Sequence, residues 1–337
     1  MTRLFAISRL FATTLWAVAI LSGCGGSGGG ISGTGITTDS NDVVVGTIEG
    51  FGSVIVNQRR LATGSADIIV NGTPSTQTDL RIGMQVRINA DLDSLTATRI
   101  DYVPLVVGPV GSVSPISNTL DILGHTVRTT TETRYDGVAE ESIVPGTVLE
   151  VSGFVNASQQ IVATFVRPVS AADRYQLLAD VRARRQGFDI STDLSDFEFT
   201  MAQLELELQI LAELEELSEF ATRRAVITVP ADDTALSPSL AFLLPTNNFI
   251  PGARADVLQA VTVNEGDGRF RTEGFAVTVT AETTILFGSG VSADLQDIQP
   301  NRIVRVRGTI PNSAAIPTSE TGSDNHATIL AEEITIF

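Results

Sequence analysis

The feature that most constrains the fold is an internal repeat of short apolar segments punctuated by turn residues. Residues 80–88, 143–153 and 298–308 each combine a glycine- or asparagine-containing turn with alternating apolar and polar residues. Alternation with a period of two is typical of half-buried strands, and repetition of one such unit is typical of tandem domains. The sequence therefore predicts a mainly β chain built from tandem modules.

A second correspondence links the second module with the last one. Residues 124–127 are followed by the pair Glu132-Thr133, and residues 274–277 are followed at identical spacing by Glu282-Thr283. A recurring pair of this kind is either a site or a polar pair at the end of a strand. We expect the second, because threonine and glutamate commonly end strands at the surface.

The opening segment of the first module, residues 46–57 (GTIEGFGSVIVN), and the repeated strand that ends in glycine are similar to a known bacterial family. The modules resemble the domain of unknown function 5666, which is found in tandem on lipoproteins. The resemblance covers most of residues 43–170 and about 252–337. It implies a small OB-like β-barrel without a known activity, so no catalytic residue is carried over.

The middle of the chain departs from the repeat. Leucines recur there at helical spacing and two arginines follow, which suits the end of a helix: Leu204, Leu208, Leu211, Leu214, Arg223 and Arg224. We predict one inserted amphipathic helix near 201–224. An alternative remains open, because residues 204–208 alternate like a strand and the helix could begin near Gln209.

The N-terminus has the pattern of an export signal. Two arginines precede an apolar run over residues 10–21, which is shorter than the ~20 residues of a membrane-spanning helix. Leu21-Ser22-Gly23-Cys24 then resembles a bacterial lipobox. This resemblance implies that the chain is cut before Cys24 and that a lipid is attached to this cysteine. The alternative is an ordinary secretory signal followed by a chance cysteine.

Residues 25–41 are rich in glycine and serine and predict a flexible tether. By resemblance to other lipoproteins, Gly25 after the cysteine favours the outer membrane, on its periplasmic or surface face. The resulting organisation is a signal peptide (1–23), a tether (24–42), two barrel modules (43–104 and 105–170), a divergent module (171–251) and a C-terminal barrel (252–337). We expect loops at 231–252 and 311–325.

Composition disfavours several kinds of chemistry. A formal net charge of −17 repels nucleic acid. The chain has one cysteine and two histidines, His125 and His326, which are too few for a site of several such ligands. The acidic pairs Asp91/Asp93 and Asp232/Asp233 lie in predicted turns, where aspartate bonds its own backbone. We assign no catalytic residue, metal or cofactor.

These observations predict a non-enzymatic protein of the cell envelope. Its partners would be the membrane, through the N-terminal lipid, and an envelope protein or a glycan, bound through loops of the barrels. The alternative function is an envelope hydrolase with a carboxylate site, which would require a pocket with converging carboxylates of shifted pKa.

Overall fold

The computed structural model describes residues 42–170, 174–184, 187–192, 195–199, 222–231, 239–243, 250–311 and 327–337. These residues form 24 β-strands and a few short 3-10 turns, and they contain no α-helix. The prediction of a mainly β chain is confirmed. By their pairing the strands fall into four groups, which we call the first set, the second barrel, the third set and the last barrel.

The first set begins at Asp42, the last residue of the predicted tether. Its strands are β1 (Asp42–Gly50), β2 (Val54–Val56), β3 (Arg59–Leu61), β4 (Asp67–Val70), β5 (Thr73–Ser75), β6 (Gln85–Asp91) and β7 (Thr96–Tyr102). Antiparallel pairing joins β3 to β2, β2 to β1, β1 to β6 and β6 to β7. A single parallel bridge between Ala62, which follows β3, and Thr96 of β7 closes β1, β2, β3, β7 and β6 into a ring.

The second barrel is a closed ring of five strands. The strands of this region are β8 (Val106–Ser114), β9 (Thr119–Ile122), β10 (His125–Arg128), β11 (Arg134–Tyr135), β12 (Val148–Val155) and β13 (Ile161–Pro168). The ring runs from β8 through β9, β10, β13 and β12 back to β8, and β11 lies outside it against β13. Counted within the ring, the strand order is therefore first, second, third, fifth, fourth.

The third set continues the sheet of the second barrel, because its first strand pairs with β8. Its strands are β14 (Arg174–Arg184), β15 (Gly187–Thr192), β16 (Ser195–Phe199), β17 (Thr222–Pro230) and β18 (Ser239–Leu243). They form the antiparallel path β16-β15-β14-β17-β18. Part of the loop predicted at 231–252 is thus the strand β18.

The predicted helix near 201–224 is wrong at its end. Residues 222–224 belong to β17, where Arg224 pairs with Asp180 of β14. Thr222 and the run of alanine, valine and isoleucine after the arginines suit a strand, and pairing with β14 along the whole of β17 outweighs the helical spacing of the upstream leucines. Residues 200–221 lie outside the described residues.

The last barrel repeats the ring of the second one. Its strands are β19 (Arg254–Gly266), β20 (Arg269–Thr272), β21 (Phe275–Thr278), β22 (Thr284–Phe287), β23 (Ile303–Thr309) and β24 (Ala327–Ile336). The ring runs from β19 through β20, β21, β24 and β23 back to β19. The additional strand β22 pairs in parallel with β24, as β11 does with β13 in the second barrel.

Strand β1 is shared between two hydrophobic cores. It pairs with β6 on one edge and, in parallel, with β19 on the other, where Val43 lies opposite Ala255. Val44 packs in the core of the first set, whereas Val43 and Val45 pack in the core of the last barrel. Both faces of the strand are buried, which explains the unbroken run of three valines in place of alternation.

Candidate functional site

The candidate site lies among the polar side chains of the described residues, which are 42–170, 250–311 and the shorter ranges given above. No three His, Cys, Asp or Glu side chains among them come together as a candidate metal site. Within the part of the chain that the structure describes, no helix has the length and hydropathy of a membrane span. The most distinctive polar groups instead lie buried at the joints between the strand sets.

The first joint is centred on Asp256 of β19, whose side chain is only 1% exposed. Arg305 of β23 binds both carboxylate oxygens, with its Nε 2.8 Å from Oδ1 and its Nη2 2.8 Å from Oδ2. Arg59 of β3 donates to Oδ2 from the first set. A bidentate arginine pair is among the stronger charge-assisted contacts in proteins, so Asp256 fastens β3 to the last barrel.

Asn57 extends this joint from the turn between β2 and β3. Its Nδ2 lies 3.0 Å from the carbonyl oxygen of Val45 and 3.1 Å from that of Asp256. Asn57 adopts a left-handed backbone conformation with φ 51°. Gly46 is required opposite the turn, because a Cβ there would lie 2.1 Å from Asn57 Oδ1. Gly46, the first residue of the segment 46–57, therefore leaves space for the side chain of Asn57, the last residue of that segment.

The charge of Asp256 is stabilised by its partners. Burial by itself would raise the pKa of this carboxyl group, but the hydrogen bonds and positive charges of Arg305 and Arg59 outweigh burial and lower the pKa below 3.8. Asp256 is therefore ionised across the neutral range. A carboxylate held in this state serves as an ionic anchor and is a poor general acid.

The second joint fixes the start of β1 to the last barrel. Asp42 accepts hydrogen bonds from the backbone nitrogen of Arg254 at 2.7 Å and from its Nη2 at 2.7 Å. Arg254 Nη1 also reaches Asp93, in the turn between β6 and β7, at 2.8 Å. The hydrogen bonds that Arg254 donates to Asp42 and then to Asp93 raise the pKa of Arg254, so this bridge stays charged.

The third joint connects the first set with the second barrel. The hydroxyl group of Tyr102 donates to Glu150 Oε1 at 2.7 Å, and Arg167 Nη2 donates to Glu150 Oε2 at 2.8 Å. Burial and then the neighbouring Glu150 charge raise the pKa of Tyr102 well above 10.0, which keeps the phenol protonated as a donor. Phe165 of β13 adds an apolar contact, because it packs in the core of the first set.

Smaller contacts link the remaining pairs of sets. Asn71 in the first set and Gln176 in the third set exchange two side-chain hydrogen bonds of 2.7 and 2.8 Å. The backbone nitrogen of Val155 in the second barrel donates to Glu273 Oε2 of the last barrel at 3.3 Å. Each of the four sets is thus bonded to at least one other by residues far apart in sequence.

The residues singled out from the sequence do not converge on one site. Cys24, His326, Asp232 and Asp233 lie outside the described residues. Asp91 accepts from the backbone nitrogen atoms of Asp93 at 2.8 Å and of Ser94 at 3.2 Å, which is the turn role expected for this pair.

The repeated glutamate–threonine pair supports the fold. Thr133 Oγ1 donates to the carbonyl oxygen of Ala163 at 2.7 Å, and Thr283 Oγ1 donates to that of Ala331 at the same distance. In each barrel this bond holds the segment after the third ring strand against the closing strand. The recurrence of the threonine therefore follows from the shared architecture.

His125 is the exception among the polar residues. It lies on β10 with 3% exposure, and neither ring nitrogen has a hydrogen-bond partner among the described residues. In the last barrel Phe275 occupies the matching position, also at 3% exposure. Burial lowers the pKa of His125 below 6.5, and the charge of Asp121 only partly opposes this, so the ring is neutral at pH 7. The second barrel therefore has an imidazole where its repeat has a core phenylalanine.

Replacing His125 with Phe is expected to raise the free energy of unfolding by about 1–2 kcal/mol, because two buried polar atoms without partners are removed at similar volume. The gain should grow as the pH falls from about 6.5, since the unfolded histidine takes up a proton that the folded one resists. Urea unfolding at pH 7.5 and 5.5 measures both effects. The reciprocal Phe275→His variant should lose stability, and a gain there would contradict the interpretation.

The comparison with known protein families bears on the second barrel. Residues 107–167 match the family model described as Domain of unknown function (DUF5666). The second barrel is a DUF5666-like domain. The match begins within β8 and ends within β13, so the DUF5666-like domain coincides with one closed ring. No curated protein matches the chain.

Proposed function

We propose that the chain is a lipid-anchored, non-enzymatic protein of the bacterial outer membrane that acts as a binding scaffold through tandem barrels. The observation that carries the proposal is the series of buried joints, centred on Asp256, Asp42 and Glu150. Their carboxylates are engaged by arginines of neighbouring strand sets or strands. Such contacts give fixed geometry to an extended surface, which is what a scaffold requires.

Attachment to the membrane rests on the lipobox at residues 21–24 and on the tether after it. A diacylglyceryl cysteine carrying further acyl chains gives lasting attachment, since each buried methylene contributes ~0.8 kcal/mol. The 17 residues from 25 to 41 would span roughly 20–25 Å as a flexible coil. The folded body, divided as proposed at 104/105, 170/171 and 251/252, would stand clear of the lipid headgroups.

We further propose that the barrels are OB-like. The ring order first, second, third, fifth, fourth, with a parallel pair between the third and fifth strands, supports this, because it is the topology of a five-stranded Greek-key barrel. OB-folds bind oligonucleotides and oligosaccharides on their second and third strands and through adjacent loops. The charge of −17 disfavours nucleic acid, which favours a glycan or an envelope protein as the partner.

The alternative of an envelope hydrolase is less well supported. A hydrolase with two carboxylates needs one with a raised pKa as the general acid. Asp256 has a lowered pKa instead, and Asp42 and Glu150 are bound to arginines or to the Tyr102 hydroxyl. These carboxylates contribute to the contacts that hold the strand sets together, which favours a scaffold over a hydrolase.

Replacing Cys24 with Ser tests the anchor in living cells. We expect the variant to move from the membrane fraction to the soluble periplasmic fraction, because serine cannot carry the thioether-linked lipid. Ser27→Ala is the matched control, since it alters the tether and leaves the lipobox intact, and it should stay with the membrane. Retention of the Cys24→Ser protein in the membrane fraction would refute lipid anchoring.

A further inference from the structure

We propose that the first set and the last barrel form a mechanical clamp, so that tension applied to the two ends of the chain bypasses the second barrel and the third set. The connection runs through four adjacent strands, β1, β19, β23 and β24, which lie side by side in one sheet. The long segment between β7 and β19, which contains the DUF5666-like domain, lies outside this path of force.

The strand directions favour resistance to tension. β1 is parallel to β19, β19 is antiparallel to β23, and β23 is antiparallel to β24. β24 therefore runs parallel to β1, and the described chain enters at one end of the sheet and leaves at the other. Because the hydrogen bonds lie across the strands, tension along them loads many bonds together instead of opening them one by one.

Side chains reinforce the strand that would take the load first. Asp42, at the start of β1, is bonded to Arg254 of β19 at 2.7 Å. Val43 and Val45 are inserted into the core of the last barrel. Asn57 bridges the backbones of Val45 and Asp256. Sliding β1 out of the sheet would expose two valines and break charged contacts at the same time.

The consequence is that the second barrel and the third set stay folded for as long as the clamp holds. Joints such as Tyr102–Glu150 attach them to the clamp at the side, where end-to-end tension does not pass. That the membrane supplies one end of the load rests on the proposed lipid anchor. The mechanical property itself belongs to the folded body and is independent of lipidation.

Single-molecule pulling on the full-length chain from Cys24 onward tests the clamp. Cys24 is the only cysteine, so its thiol takes one DNA handle without further engineering, and a C-terminal peptide tag takes the other. We expect no lengthening steps before the first set and the last barrel separate, followed by release of the inner strands. This order of events is measured without any amino-acid substitution in the folded body.

Two core variants then distinguish the clamp from general stability. Val45→Ala truncates a valine in the load path, and Val127→Ala truncates a buried valine of the second barrel. Val45→Ala should shorten the lifetime of the first event at constant force by at least about tenfold, by loss of core packing. Val127→Ala should leave that lifetime unchanged.

Release of the second barrel or third set before the clamp opens would overturn the proposal, as would equal effects of Val45→Ala and Val127→Ala. These outcomes are separate from the membrane experiment, because the pulled chain carries no lipid. Loss of the anchor in cells together with an intact clamp would refute the proposed location alone.

Discussion

Replacing Asp256 with Ala is expected to lower the free energy of unfolding by about 3–5 kcal/mol, since breaking a buried ion pair leaves the other charge uncompensated. In this variant the guanidinium group of Arg305, whose side chain is 5% exposed, loses its bidentate partner. It also removes the carboxylate that Arg59 and Asn57 contact from the first set. Urea unfolding followed by circular dichroism measures the loss.

The matched control for this prediction is Asp93→Ala. Asp93 also pairs with an arginine of the last barrel, Arg254, at 2.8 Å, but its side chain is 83% exposed. An exposed pair contributes less than about 1 kcal/mol, because water and salt screen it. Similar losses for the two variants would mean that burial of Asp256 is not the source of its effect.

Replacing Gly308 with Ala is expected to cost about 2–4 kcal/mol, near the upper end of overpacking effects. Gly308 lies at a bulge where β23 pairs with β24. An added Cβ would be 2.1 Å from the carbonyl oxygen of Leu330 and 3.0 Å from the Cα of Ala331. Both neighbours are backbone atoms, so relief requires the closing strand of the barrel to move.

Gly153 provides an independent repetition of this prediction in the second barrel. Its Cβ would lie 2.1 Å from the carbonyl oxygen of Val162, so Gly153→Ala should have a similar cost. Gly64→Ala is the control, because nothing lies within 4 Å of the added atom there.

The first set has Ala90 at the corresponding bulge, so a Cβ is tolerated where the bulge is built around it. If Gly153→Ala and Gly308→Ala leave the free energy of unfolding unchanged, these two bulges accommodate a Cβ as readily as the bulge at Ala90 does.

The local elements of the fold could be predicted from the sequence, because their signals lie within a few residues. The alternating residues 80–88 contain the strand β6, as predicted, and the hairpin of β1 and β2 and the turn at Asn71-Gly72 likewise depend on neighbouring residues. Asn71 and Gly72 adopt φ values of 51° and 76°, as that turn demands. The repeat itself was visible because each barrel reuses the same turns.

The joints could not be predicted, because they depend on contacts between distant segments. Asp256 reads as an isolated charge in an apolar strand, and its partner Arg59 is 197 residues away. The three consecutive valines of β1 suit a strand buried on both faces, but nothing local identifies β19 as its neighbour. Nothing in the sequence next to His125 indicates that its side chain is buried. Only its alignment with Phe275 in the repeat signals a position in the core.

The prediction of a helix near 201–224 is wrong at residues 222–224 for a related reason. Heptad-like leucines predict a helix locally, whereas the adjacent segment of β17 is selected by nine register pairs with β14. Strand pairing of that length outweighs intrinsic propensity, which spans only about 1 kcal/mol per residue. The partner strand, residues 174–184, lies within the same predicted module.

Mass spectrometry of the mature N-terminus tests the central claim, a barrel array tethered by lipid, most directly. The chain contains no lysine, and the first arginine after Cys24 is Arg59, so trypsin releases one N-terminal peptide, residues 24–59. The account predicts that this peptide begins at Cys24 and carries the mass of a diacylglyceryl group, with or without an additional acyl chain. A peptide that begins upstream of Cys24, or one with an unmodified cysteine, would contradict it.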